Sequence, residues 1–231
     1  DGNMYFCVGG RGGQSRLYRI SYTGNAPTKL SKLDTTSEHA KARKTRKMIE
    51  SFHGHADPMA VKEVWSHLGS MDYHIRYAAR VAMEWQNPKT WAKKAYAEKN
   101  DLAAIHALLG LARSDLADSL KPSIERLLKV NFNKLDKAGK LALLRTYSVI
   151  MSRGGMPTAK HVKAVGDQLD SFFPSKDSNL NEELCRVLCY LDHPSVVRKT
   201  IALMKTTKAQ IPDFNSEIMK RNKNYGGKIL S

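Results

Sequence analysis

Residues 8–20 read VGGRGGQSRLYRI, and four glycines with a serine in seven positions invite one chemistry first: backbone N–H groups wrapped around a phosphate. A phosphate loop of that kind opens a helix and is usually helped by a lysine. Here no Gly-Lys-Ser/Thr follows, so the P-loop spacing is absent. The dinucleotide fingerprint fails as well, because the residues after Gly13 are not helical in pattern. Leu17, Arg19 and Ser21 alternate with Tyr18, Ile20 and Tyr22, and Met4, Phe6 and Val8 alternate with Tyr5 and Cys7 before the glycines. The stretch reads as strand, glycine turn, strand, with glycine supplying the positive φ that a tight turn needs.

Other residues with chemical potential are scattered. Cys185 and Cys189 are four apart on a helical pattern and share a face, a spacing read here as core. Tyr190 follows them, so they do not make the Cys-x-x-Cys-His of a covalent haem. His53-Gly54-His55 precedes Asp57-Pro58, and His67 and His74 flank Gly69-Ser70; none has a third ligand at recognisable spacing. Trp65, Tyr77, Trp85, Trp91 and Tyr96 read as packing between helices. No Ser, Cys or Lys is paired with a base by spacing, so no catalytic, cofactor-binding or metal residue is assigned within the chain. Three cysteines make no disulfide framework.

The strongest electrostatic feature is Lys41-Ala42-Arg43-Lys44-Thr45-Arg46-Lys47. The whole chain of 231 residues carries 38 Lys and Arg against 22 Asp and Glu, a net +16. Lys41, Arg43, Lys44, Arg46 and Lys47, joined by Arg76 and Arg80, are the candidate contacts to an acidic partner. Two readings stay open: a solvated basic surface, or a stripe that meets a polyanion. No aromatic residues interleave the cluster as base-stacking platforms would.

The elements that must position these residues follow from punctuation and periodicity. Residues 1–24 form the hairpin, and residues 25–36, with Asn25 and Pro27, a linker. Residues 37–56 form a basic connecting helix and loop. Thr35-x-x-Glu38 reads as its capping box, and Ala42, Thr45, Ile49 and Phe52 as its inward face. From residue 57 to 231 the chain repeats, with prolines at 58, 88, 122, 157 and 194. Each proline introduces one amphipathic stretch and then a more apolar one. Ile75, Ala78, Ala79 and Ala82 align with Ile105, Leu108, Leu109 and Ala112, with Leu141, Leu144 and Ser148, and with Leu184, Val187, Leu188 and Leu191. Asp72 and Asp101 stand as N-caps. The expected fold is mostly α: a HEAT-like α-solenoid of helix pairs after a short β-hairpin, since a helix pair at this period cannot bury its own face.

An isolated hairpin is barely stable, so residues 1–24 read as the end of a β-domain, and the sequence as a fragment. Asp1-Gly2-x-Met4-Tyr5-Phe6-x-Val8-Gly9-Gly10-Arg11-Gly12 and Leu17-Tyr18-Arg19-Ile20-x-Tyr22 resemble the closing blade of a β-propeller. The propeller is that of secreted bacterial membrane-bound dehydrogenase domain proteins, related to sugar dehydrogenase propellers. In that family a HEAT-like helical region follows, often with a haem c domain. Trp65-x-x-Leu68-Gly69-Ser70-x-Asp72-x-x-Ile75-Arg76-Tyr77-Ala78-Ala79-Arg80-Val81-Ala82 is similar to the start of that region. So are Asn181-x-Glu183-Leu184-Cys185, Tyr190-Leu191-x-x-Pro194-Ser195-Val196-Val197 and Arg221-Asn222-x-x-Tyr225-Gly226-Gly227.

The resemblance implies a periplasmic or secreted parent protein. Its haem c or quinone and calcium chemistry would lie outside these residues. The expected function is a non-catalytic scaffold or protein-interaction region whose partners are other domains of the parent or a separate protein. The alternative is a basic solenoid that binds nucleic acid directly. Weak, non-specific nucleic-acid binding is expected of so basic a chain in either case, and no segment is long and apolar enough to span a membrane.

Overall fold

The computed structural model describes residues 3–10, 13–26, 32, 34–114 and 118–206. Among the described residues the structure is mostly helical, 64% helix, with ten α-helices and a short antiparallel hairpin at the start. It divides into two compact units, residues 1–43 and 44–231. Among the described residues no helix is long and apolar enough to cross a membrane. The glycine turn at residues 11 and 12, half of the linker and the 221–227 motif lie outside the described residues.

In the first unit β1 (Met4–Gly10) pairs with β2 (Gly13–Ile20), from Met4 opposite Ile20 to Gly10 opposite Gly13. The register slips between Val8 and Gly10. A Cβ at Gly9 would stand 2.8 Å from the Ser15 hydroxyl, which would have to turn aside for any larger residue there. Met4, Phe6 and Val8 share a face with Tyr18 and Ile20, and the Phe6 and Tyr18 rings stack at 5.2 Å. Both strands are exposed, Tyr18 and Ile20 included, and so is Tyr22 just beyond β2.

Helix α1 (Glu38–Glu50) starts two residues later than the capping box suggests. The Ser37 hydroxyl accepts from Ala40 N–H at 3.2 Å, while Asp34 turns the preceding backbone by accepting from Thr36 and Ser37 N–H. Ser37 is therefore the cap, and Thr35 stands outside the helix. Ala42 and Thr45 are half-buried, Ile49 is buried and Phe52 half-buried, as the periodicity requires.

The remaining helices are α2 (Ala60–Val64), α3 (Tyr73–Glu84), α4 (Pro88–Ala97), α5 (Asp101–Arg113), α6 (Leu120–Leu127), α7 (Lys137–Gly154), α8 (Ala159–Asp170), α9 (Ser178–Tyr190) and α10 (Val196–Thr206). A 3-10 turn spans Trp65–Gly69 between α2 and α3. Pro88 is the first residue of α4 and Pro122 the third of α6, both where a helix has no use for the missing N–H. Asp72 caps α3 by accepting from His74 and Ile75 N–H. Asp101 does not cap α5. Asn100 does, through Ala103 N–H, and this frees the Asp101 carboxylate for Arg126 and Asn131 N–H.

The more apolar helix of each pair packs on its counterpart in order: α3 on α5, α5 on α7, α7 on α9. Helix α5 is apolar nearly all round and correspondingly buried. Ala78, Ala79 and Ala82 of α3 are buried in the core. Trp65 and Trp91 meet edge to face at 6.4 Å, but Tyr77 and Trp85 are 48% and 51% exposed and do not pack between helices. They sit on the outer side of α3, where a ring costs little and buries little.

A second regularity links the less apolar helices. Arg126 of α6 donates Nε–H to the carbonyl of Glu98, which ends α4, at 2.7 Å. Gln168 of α8 donates to the carbonyl of Leu128, which ends α6, at 3.2 Å, and accepts from the buried Tyr147 hydroxyl. Lys199 of α10 donates to the carbonyls of Asp170 and Phe173 at the end of α8, at 2.8 and 2.9 Å. Each of these helices leaves carbonyls unpaired at its C-terminus, and each is closed by a side chain of its later neighbour.

Candidate functional site

A concavity lies beside His193, where α8 meets the turn from α9 to α10. Helix α9 ends with Asp192 in the left-handed region at φ +50°. His193 N–H then reaches the Leu188 carbonyl and Asp192 N–H that of Cys189, closing the helix as a left-handed cap does. This turn lays the His193 ring against α8. Gly166 makes room, because a Cβ there would stand 2.8 Å from His193 Cδ2.

The ring lies in a polar cluster. Nδ1 is 3.1 Å from Ser195 Oγ and 3.6 Å from Asp170 Oδ1, and Nε2 is 3.5 Å from Asp167 Oδ1. The Ser195 hydroxyl donates to Asp170 Oδ1, and the Lys199 ammonium meets Asp170 Oδ2 at 2.8 Å. Lys163 pairs with Asp167 at 2.5 Å. The bond from Lys163 holds the Asp167 carboxyl below its ordinary range despite some desolvation, with His193 adding to the effect. At Asp170 burial pushes upward, but the bonds from Lys199 and Ser195 and the charges of Lys199 and His193 outweigh it, leaving the group lowered.

Serine, histidine and aspartate together suggest acyl transfer, and the proton count decides against it. Ser195 has one hydroxyl proton and gives it to Asp170. His193 Nδ1 must then donate to Ser195 Oγ, so no imidazole lone pair faces the hydroxyl to take its proton. The cluster fastens α8 to the start of α10.

Beside it opens a groove of about 660 Å3, walled by Met156, Pro157, Ala159, Val162, Tyr190, Leu191 and Pro194, with Lys163, Asp167 and Asp192 at the polar side. That volume falls in the range of ligand pockets. An apolar side chain with a hydrogen-bonding neighbour fits its lining. The sequence carried one weak sign of it, a glycine inside a helical pattern at Gly166; the convergence of residues 156–167 with 190–194 is tertiary and had no local signal.

The candidate basic contacts are placed unevenly. Lys41, Arg43, Lys44 and Lys47 are exposed on α1, with Arg43 also donating to the Asp34 carbonyl at 2.8 Å; Arg46 is half-buried and pairs with Glu50 at 3.0 Å. Arg76 and Arg80 are only 6% and 8% exposed. Arg76 donates to His106 Nε2 and to the Ser70 carbonyl. Arg80 pairs with Glu84, which also meets Arg113, and lies over the Tyr77 ring at 4.9 Å. Both guanidinium groups thus turn inward to partners of their own chain, and Gly110 of α5 lies against the Arg80 stem.

His53 contacts the Ala78 carbonyl at 2.9 Å, and Gln86 ties down the same loop through Asp57 N–H and the His55 carbonyl. His67 is half-buried and His74 exposed. Among the described residues no three His, Cys, Asp or Glu converge to hold a metal ion. Cys185 is half-buried and Cys189 exposed, so the pair lies at the surface of α9 instead of in the core. Comparison with protein-family models, with curated proteins and with solved structures finds no match to this chain.

Proposed function

We propose that the chain is a non-catalytic helical-repeat scaffold, a HEAT-like α-solenoid segment that presents a protein-interaction surface within a larger protein. The observation that carries this reading is the relay of helix closures, α6 onto α4, α8 onto α6 and α10 onto α8. Nearest-neighbour dependence of that kind is what stacked repeats require, since each unit lacks a self-sufficient core. The groove beside His193 offers such a scaffold a seat for an apolar side chain of its partner. The sequence resemblance adds the context: a periplasmic or secreted propeller and haem dehydrogenase-like parent, whose other domains are the partners and hold any haem, quinone or calcium.

Direct binding of nucleic acid is the second reading, favoured by the exposure of Lys41, Arg43, Lys44 and Lys47 along α1. The inward turn of Arg76 and Arg80 weakens it, because a continuous basic stripe loses two members. Titration of duplex DNA at low and near-physiological salt, against a variant with Lys41, Arg43, Lys44 and Lys47 changed to Gln, separates the two. The scaffold reading expects weak, sequence-indifferent binding that collapses as salt rises, as counterion release dictates. Tight, sequence-selective binding that survives physiological salt overturns it.

A further inference from the structure

Cys185 and Cys189 lie one turn apart near the end of α9, with their sulfurs 3.9 Å from each other. Cys185 Sγ is also 3.4 Å from the Thr200 hydroxyl of α10, which fixes its side-chain direction. At this distance the two thiols share an S–H···S contact, from which either a disulfide or a shared metal ion could form, and the helix discriminates between those two. A disulfide needs an S–S bond of ~2.05 Å and Cβ atoms roughly 3.5–4.5 Å apart. Residues four apart on a helix hold their Cβ atoms about 5–6 Å apart, so oxidation would have to unwind the last turn of α9. Two thiolates at ~2.3 Å from one tetrahedral ion stand about 3.8 Å from each other, by the geometry of a tetrahedron edge. The observed separation already matches that edge.

We propose that Cys185 and Cys189 form a two-thiolate site for a soft d10 metal cation. Thiolate pairs select soft cations over magnesium or calcium. Each thiol releases one proton to solvent as its sulfur donates a lone pair to the ion, and nothing is oxidised or reduced. Burial and the neighbouring Cys185 raise the Cys189 thiol, so the ion displaces a proton and does not meet a ready thiolate. No third His, Cys, Asp or Glu converges on the pair among the described residues, which leaves the other coordination positions to water or a small thiol.

The test is titration of the reduced, metal-free full chain with cadmium ion, read by thiolate-to-metal charge-transfer absorption in the ultraviolet. Wild type and C7S, which removes the exposed cysteine of β1, are expected to saturate at one equivalent. C185S and C189S should each weaken binding by roughly a hundredfold, the scale of losing an intramolecular second contact. Because a serine variant with disturbed folding would mislead, E182C/C185S serves as a second probe. Glu182 is exposed, and its change leaves two thiols on one face about 10 Å apart by helix rise, so one-equivalent binding should vanish with helix content intact. Cadmium bound as tightly by C185S or C189S as by wild type overturns the proposal. So does a wild type with no saturable absorption, or an intramolecular disulfide that forms with α9 fully helical.

Discussion

Arg76 Nε–H donates to His106 Nε2 across 2.9 Å, joining α3 to α5 between two buried side chains. The direction of that bond fixes the tautomer. A nitrogen that accepts from a guanidinium holds no proton, so the ring carries its hydrogen on Nδ1, which finds no partner among the described residues. Burial first, then the charges of Arg76 and Arg80, drop the His106 pKa from 6.5 to about 3.

Stability should therefore depend on pH through this ring. Between pH 6.5 and 3 the unfolded chain protonates His106 and the folded chain does not, so the unfolded state binds more protons. The contribution is fully present above pH 6.5 and is lost as pH falls toward 3. Urea unfolding at pH 7.5, 6 and 5 should show wild type losing stability faster than H106Q, whose amide oxygen still accepts from Arg76. Parallel curves for the two proteins would remove His106 as the source.

Gly166 faces the edge of the His193 ring. A helix normally gains about 1 kcal/mol when glycine becomes alanine. Here the new methyl would meet an imidazole carbon held by Ser195, Asp167 and Asp170, and the overpacking should cost roughly 1–3 kcal/mol, enough to outweigh that gain. G166A is expected to melt below wild type, and G166A/H193A above H193A, because without the ring only the helix gain remains. A stabilised G166A single variant would mean that the ring moves freely.

Ala79 lies fully buried on the face that α3 turns to its neighbours. Enlarging it in A79L should overpack that contact and cost roughly 1–3 kcal/mol in chemical unfolding. An unchanged midpoint would show that the helices part easily at this level.

The parts of the fold read from sequence were those set by local rules. The strand alternation gave the hairpin, and Pro58, Pro88, Pro157 and Pro194 stand at or just before the starts of α2, α4, α8 and α10. Asp72 was visible as a cap because it precedes its own helix with nothing else to bind. Asp101 looked the same but was drawn to Arg126, 25 residues away, and the cap passed to Asn100. Arg76 and Arg80 read as surface charge for a similar reason: their partners, His106 on another helix and Glu84 one turn on, decide their direction. Tyr77 and Trp85 show the reverse, large rings with helical spacing that the packing leaves outside. The groove beside His193 belongs to this second class, since its two walls are more than 20 residues apart in sequence.

The closures made by Arg126, Gln168 and Lys199 all run one way, from a later helix to the end of an earlier one. Translation delivers the chain in the opposite sense, so α4, α6 and α8 each leave the ribosome with their last carbonyls still open. Each waits for 26 to 40 further residues before its seal exists. At each of these three joints the younger segment completes its elder.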